Sequence, residues 1–123
     1  MDWRDQVIAD VGRGMGVEGL EFTGSGVIQL EFERRGQLFI EAREKGVLFY
    51  LTRGLPQYDC VDMLVRALQA AHYSSSMRYP LQAGLKGDRE LFLCIFLGNE
   101  EFDRPNIEGV MQILADQFDR IVE

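Results

Sequence analysis

Three glycines near the start of the chain have the spacing of a loop that binds the pyrophosphate group of a dinucleotide. The sequence GMGVEG occupies positions 14–19 and fits the pattern G-x-G-x-x-G. In that motif the glycines close a strand and open a helix, whose first N–H groups and positive dipole hold the phosphates. Here a helical pattern precedes the glycines and an alternating strand pattern follows them. This order is reversed, so we expect a glycine helix cap and no bound cofactor.

Other residues that could carry chemistry are few. His72 is the only histidine, and it ends an apolar helical stripe with no nucleophile-elbow sequence beside it, so we interpret it as structural. The acidic pairs Glu31/Glu33 and Glu100/Glu101 could serve acid–base or metal chemistry. Their positions, on the polar face of a strand and in a turn, favour solvated charge instead. We therefore predict that the protein is not an enzyme and holds no metal.

Cysteine usage and composition predict one globular domain, residues 1–123, in the cytoplasm. Cys60 and Cys94 sit in the apolar segments DCVDML and LFLCIFL without a C-x-x-C partner, so we expect buried free thiols. No apolar run reaches the roughly 20 residues that span a bilayer. The charged, amphipathic start of the chain does not have the apolar centre of a signal peptide.

The charge balance narrows the class of partner. Thirteen basic and twenty acidic residues give a formal net charge of −7 at pH 7. Such a chain repels phosphate backbones and anionic lipids, so we expect no nucleic acid partner and no stable membrane insertion. A neutral or basic polypeptide is the partner that suits this charge.

Hydrophobic periodicity predicts an α+β fold with the element order α-β-β-β-α-β-β-α. The predicted helices cover 2–15, 58–73 and about 103–121, and the predicted strands cover 26–34, 37–43, 47–53, 78–86 and 90–97. Short glycine-containing links indicate a mainly antiparallel sheet. We expect the strand with Pro80 and Gly84 at an edge or at an interface, and the last strand, apolar on both faces, in the middle of the sheet.

Apolar side chains occur on both faces of the predicted strands. Phe39 faces opposite to Leu38 and Ile40, and the same alternation sets Phe49 apart from its neighbours. The first and third helices would cover one face and the second helix the other. The side chains left over would form grooves beside a free strand edge, which can capture an extended peptide. The second helix is apolar around nearly its whole circumference, so we expect it to contact a second subunit.

Four stretches and the element order resemble the class I type III secretion chaperones, and most of all those of the SycN type. The stretches are MDW with the helix running to MGV, VIQLEF, GQLFIEAREKGVLFYLTRGL and YPLQAGLKGDRELFLCIFL. The resemblance implies a dimeric chaperone that consumes no ATP and around which the N-terminal segment of a secreted protein wraps. It also implies a heterodimer with a YscB-type co-chaperone, and a YopN-type gatekeeper as cargo.

The resemblance also assigns residues to two surfaces. In the family the second helix and fourth strand supply much of the dimer contact, and the first helix and first three strands supply cargo grooves. The dimer residues implied here are Met63, Leu64, Ala67, Leu68, Ala71 and Leu81. The cargo residues implied here are Val7, Val11, Ile28, Leu30, Phe32, Phe39 and Phe49.

Two other function classes stay open at this point. An enzyme that binds nucleotide through GMGVEG would be stabilised against heat by nucleotide. A non-enzymatic adaptor or scaffold dimer of similar shape would bind folded partners, whereas the chaperone interpretation requires a partner segment that is disordered when alone.

Overall fold

The computed structural model describes residues 3–22, 24–32, 36–55, 60–73, 79–87 and 89–122. They form three α-helices and a five-stranded antiparallel sheet, which confirms the predicted α+β class and element order. The elements are α1 (Trp3–Gly14), β1 (Val27–Phe32), β2 (Gly36–Ala42), β3 (Gly46–Gly54), α2 (Cys60–Tyr73), β4 (Gln82–Lys86), β5 (Glu90–Gly98), a 3-10 turn (Asn99–Glu101) and α3 (Arg104–Val122). None of the helices within these residues combines the length and the apolarity that a bilayer crossing needs.

The strand order in the sheet is β1-β2-β3-β5-β4, with antiparallel pairing at every step. Of the two positions predicted for β4, an edge or an interface, the sheet order shows the edge, since among the described residues β4 pairs with β5 alone. The prediction that β5 lies in the middle of the sheet is wrong, because β3 is the central strand. A short apolar run indicates a strand with neighbours on both sides, which β5 has. The apolar run does not indicate how many further strands lie beyond each of those neighbours.

One face of the sheet packs against the helices and forms the hydrophobic core. Alternation along β3 turns Val47, Phe49 and Leu51 towards the helices, where all three are buried. The buried residues of α3 recur at three- and four-residue spacing and are Ile107, Val110, Leu114, Phe118 and Ile121. Full burial of one large aliphatic or aromatic side chain contributes about 1.5–3 kcal/mol, so α3 is a principal source of folding free energy.

α2 lies on the same side of the sheet as α3, which corrects the interpretation that it would cover the opposite face. Ala67 is fully buried in the common core, and the Arg66 guanidinium donates a hydrogen bond to the carbonyl oxygen of Ile121 at 3.0 Å. On β4, Ala83 packs against the same core, whereas Lys86 on the other face is exposed. The small Ala67 side chain allows α2 to approach β4 and α3 closely. Within the described residues, no helix covers the second face of the sheet.

Candidate protein-binding surfaces

The glycines of GMGVEG end α1 and tie its last turn to the following loop. Gly16 has a φ of +83°, and its N–H donates to the carbonyl oxygen of Arg13 at 3.1 Å. The N–H of Val17 donates to the carbonyl oxygen of Gly12 at 2.8 Å, which completes the two hydrogen bonds of a Schellman cap. The next element is β1, so the glycines follow a helix and precede a strand. The predicted helix cap is confirmed.

The residues considered for catalysis are dispersed over the surface. His72 is exposed in the last turn of α2, with its ring centroid 5.8 Å from that of Tyr73. Glu31 and Glu100 are exposed, and Glu33 lies outside the described residues. The described part of the chain contains no group of three side chains suited to hold a metal ion. The fold does assemble exposed apolar surfaces.

The outward surface of α2 carries an apolar stripe that the other described residues do not cover. Val61, Val65 and Leu68 recur at four- and three-residue spacing and expose 74%, 48% and 49% of their surface. Tyr73, at the end of the same helix, is 77% exposed. Large apolar side chains grouped in this way mark a contact surface. We call Val61, Val65 and Leu68 the α2 stripe.

The six predicted dimer residues fall into three groups, in the α2 stripe, in the core and at half-buried positions between them. Leu68 belongs to the stripe, whereas Ala67 and Leu81 are buried in the chain's own core. The half-buried residues are Met63, Leu64 and Ala71. Sequence reasoning did not assign Val61 and Val65 to the interface, although their spacing with Leu68 was the available signal.

The seven predicted cargo residues lie in three places. Val11, Ile28 and Phe49 are buried on the helix side of the sheet, so they offer no surface to a partner in this chain. The residues that are half-buried on that same side are Val7 of α1 and Leu30 and Phe32 of β1. Phe39 is half-buried on the opposite face, because it pairs with Tyr50 while the adjacent Ile40 pairs with Phe49. The structure therefore does not bring all seven together.

The face of the sheet opposite the helices, which we call the open face, bears aromatic and small side chains in rows that cross the strands. One row consists of Phe39, Tyr50 and Cys94, on β2, β3 and β5. The next row places Thr52 beside Phe92. The rings of Phe39 and Tyr50 stack, with centroids 5.1 Å apart and 13° between their planes. The open face is thus a second apolar surface, separate from the α2 stripe.

A groove of about 400 Å³ lies on the open face. The described residues that line it are Glu41, Arg43, Leu48, Tyr50, Thr52, Leu85, Lys86, Phe92 and Cys94. Arg43 and Glu41 form an ion pair at 3.1 Å. The Lys86 Nζ lies 5.5 Å from the ring centroid of Phe39, although β5 and β3 lie between their two strands. The Lys86 side chain therefore extends across the open face.

Both cysteines are buried free thiols, as predicted. Burial raises the pKa of Cys94 to about 11, and the nearby carboxylate of Glu41 adds to this effect. Burial and Glu41, in the same order, also raise the pKa of Tyr50. At neutral pH the Cys94 thiol is therefore protonated and packs as a small apolar group.

The sequence matches one protein family over almost its full length. The model of the family described as type III secretory system chaperone SycN matches residues 3–122. The chain belongs to this family. The resemblance drawn from the four sequence stretches is confirmed, since apart from the first two residues they all fall within the match. The comparison with curated proteins gives no match.

Solved chaperone structures share the fold of this SycN-family protein. The heterodimeric ExoU–SpcU complex from the type III secretion system of Pseudomonas aeruginosa gives a TM-score of 0.67, with 21% identity and 94% of each chain covered. The Yersinia pestis type III secretion chaperone SycH in complex with a stable fragment of YscM2 gives 0.69, with 14% identity and 97% of each chain covered. The HopA1–SchA chaperone–effector complex gives 0.71, with 13% identity, 98% of this chain and 94% of that chain. At these low sequence identities the comparisons show a shared fold.

Proposed function

We propose that this SycN-family protein is a cytoplasmic, non-enzymatic chaperone that keeps the N-terminal region of a secreted protein competent for export. The observation that carries the proposal is the family match combined with apolar surfaces that are exposed among the described residues. Such surfaces favour association with other polypeptides, because contact with them removes apolar area from water. The resemblance adds a YscB-type co-chaperone and a YopN-type gatekeeper as the specific partners.

The α2 stripe suits a second chaperone subunit. Its four- and three-residue spacing forms a ridge that can pack against another helix. We infer that a YscB-type subunit covers it, with Leu68 at the contact and Met63 and Leu64 beside it. Ala67 and Leu81 support this surface from the core rather than touching the partner. When the chain is alone, a second copy can take the same position.

The edge formed by β1 suits an extended cargo segment. Because β1 is an outer strand of the described sheet, its outward backbone N–H and C=O groups are available to a further strand. Leu30 and Phe32 on β1, with Val7 on α1, are half-buried on the helix side. Strand addition supplies backbone hydrogen bonds, and such apolar surface accepts alternate side chains of the added segment. We propose that the cargo's N-terminal segment binds here.

The free energies involved require a long contact. Fixing the backbone of a disordered segment costs about 1–2 kcal/mol per residue. Burial of apolar groups returns about 0.8 kcal/mol per CH₂ group, so several large side chains must be buried for binding to be favourable. The net charge of −7 would speed encounter with a basic cargo segment, and salt would weaken that effect.

Coexpression with a YscB-type co-chaperone and the N-terminal region of a YopN-type protein tests the proposal. Light scattering of the purified material should give the mass of a complex that holds one copy of each chaperone and retains the cargo segment. Val65→Asp should release the co-chaperone, because it puts a charge into the α2 stripe. The matched control is Gln112→Glu, which adds a carboxylate at an exposed position of α3 and should leave the complex intact.

Three outcomes would contradict the proposal. A stable monomer that retains neither partner would show that the α2 stripe is not an interface. Retention of only a folded domain, with no binding of a disordered N-terminal segment, would favour the adaptor function instead. Stabilisation by nucleotide would reopen the enzyme interpretation.

A further inference from the structure

We infer that the groove on the open face is a second cargo site, which takes a large apolar side chain that has an acidic residue close to it in the cargo sequence. This inference rests on the proposed chaperone function and adds the chemistry of one anchor point to it. The groove lies on the opposite side of the sheet from Val7, Leu30 and Phe32, so it is separate from the surface proposed at the β1 edge.

The shape of the groove depends on small residues between aromatic ones. Thr52 and Cys94 are buried beneath it, and Tyr50 and Phe92 stand beside them on β3 and β5. A Cβ atom at Gly84 would lie 2.8 Å from the ring of Phe92, so this ring lies directly over the glycine. Phe92 therefore leans towards β4 and away from β3. Thr52 and Cys94 therefore lie in the floor of the groove, and the space open to an incoming side chain is the groove itself, beside Tyr50 and Phe92.

The charges around the groove differ in sign from the chain as a whole. Two cations, Arg43 and Lys86, and one carboxylate, Glu41, line it. Arg43 and Glu41 pair with each other, whereas the Lys86 ammonium lies near the Phe39 ring. Lys86 is exposed, and the attraction of a solvated cation to a ring is weak, so a carboxylate from a partner can take the place of the ring. A chain of net charge −7 thus presents a locally cationic apolar groove.

These features select one kind of occupant. An extended segment projects residues i and i+2 to the same side. A phenylalanine or leucine can enter the groove beside Tyr50 and Phe92 while an aspartate or glutamate two positions away meets the ammonium group of Lys86. A basic residue at that second position would face Lys86 and Arg43 and be disfavoured. The groove therefore discriminates between cargo segments by the sign of a charge beside an apolar anchor.

Titration of the full-length ¹⁵N-labelled protein with two synthetic peptides tests the inference. The probes are the acetylated peptide TSTFTDTS and its partner TSTFTKTS, which differ only in the charged residue. The acidic peptide should shift the amide resonances of Tyr50, Thr52 and Phe92 and bind about two- to fivefold more tightly than the basic one, the range expected of an exposed ion pair. Lys86→Gln should remove this preference, and Lys86→Glu should reverse it. Lys45→Gln, which changes an exposed lysine outside the groove, should keep it.

Equal binding of the two peptides, resonance shifts confined to α1 and β1, or no response to Lys86→Glu would each overturn the inference. If the protein retains a secreted segment on coexpression but shows one of these results, the open-face site is ruled out and the proposed function stands. A protein that retains no secreted segment loses the proposed function, whatever the peptides do.

Discussion

The guanidinium carbon of Arg53 lies 4.8 Å from the ring centroid of Phe118, and one of its nitrogen atoms lies 3.3 Å from a carboxylate oxygen of Asp119. Arg53 is on the central strand β3, and both of its partners are on α3. A single side chain therefore joins the strand to the helix through an ion pair and a ring contact. Most of the guanidinium group and its stem are shielded from water, since the side chain is 12% exposed.

Arg53→Ala should lower the free energy of unfolding by about 1–2 kcal/mol, because the ion pair, the ring contact and the packing of the stem are all lost. Urea unfolding followed by circular dichroism measures this change. Arg13→Ala is the control, since it removes an exposed ion pair with Asp10 within α1 and should cost about 0.5 kcal/mol or less. Equal effects of the two substitutions would contradict the structural role of Arg53.

Phe49→Ala should lower the free energy of unfolding much more than Phe96→Ala, because the two residues lie on opposite faces of the sheet. Phe49 is fully buried on the helix side, so its removal should cost about 3–5 kcal/mol through lost burial and a residual cavity. Phe96 lies on the open face and is 48% exposed, so its removal should cost about 1 kcal/mol or less. The comparison uses unfolding midpoints of the two variants. A larger loss for Phe96 would mean that the open face is covered in solution.

Two glycine substitutions should act in opposite directions. Gly16→Ala should lower the free energy of unfolding by about 1–2 kcal/mol, because Gly16 has a φ of +83°, which alanine adopts only with strain. A Cβ atom at this position has no neighbour within 4 Å, so the cost comes from the backbone conformation alone. Gly109→Ala should stabilise by about 0.5–1 kcal/mol, because Gly109 lies inside α3 and a Cβ atom there meets open space. Thermal unfolding checks both signs, and a neutral Gly16→Ala would argue against the helix cap.

Cys94 should make stability fall at alkaline pH. The pKa of its thiol is about 11 in the folded protein against 9.0 for the ordinary thiol, so the unfolded chain loses this proton at lower pH. The contribution of the thiol is fully present below about pH 9 and is lost as the pH rises towards 11. The difference in unfolding free energy between the native sequence and Cys94→Ala should therefore shrink over this range. The measurement is urea unfolding of both proteins at several pH values. A difference in unfolding free energy that stays constant with pH would contradict the prediction.

Periodicity predicted the class and order of the elements, because each helix and strand shows its own faces in its own residues. It did not predict where α2 lies. On this helix the small Ala67 faces the core while Val61 and Val65 face outwards. A ranking by hydrophobicity would place the valines inside, but close approach to β4 and α3 favours the smaller side chain. The location of α2 depends on how closely it packs against β4 and α3. The sequence of α2 alone does not specify that distance.

The candidate surfaces were predicted in part for the same reason. Phe39 and Phe49 looked equivalent in the sequence, since each alternates with apolar neighbours. The register of β2 with β3 places them on opposite faces, and in the part of the chain that the structure describes helices pack only on the face that bears Phe49. Register depends on pairing between strands, which alternation within one strand does not specify. The groove on the open face also needed the neighbouring strand, because its shape depends on Gly84 beneath the ring of Phe92.

The placement of all three helices on one side of the sheet has an evolutionary consequence. Residues on the covered side must together fill a fixed volume, so a change at one position restricts changes at its neighbours. Solvent-exposed residues on the open face can be exchanged one at a time with little effect on folding. Partner preference can then diverge on one side of five strands while the other side maintains the architecture. Such a division of labour allows one fold to persist among proteins that share 21%, 14% and 13% of their residues with this chain.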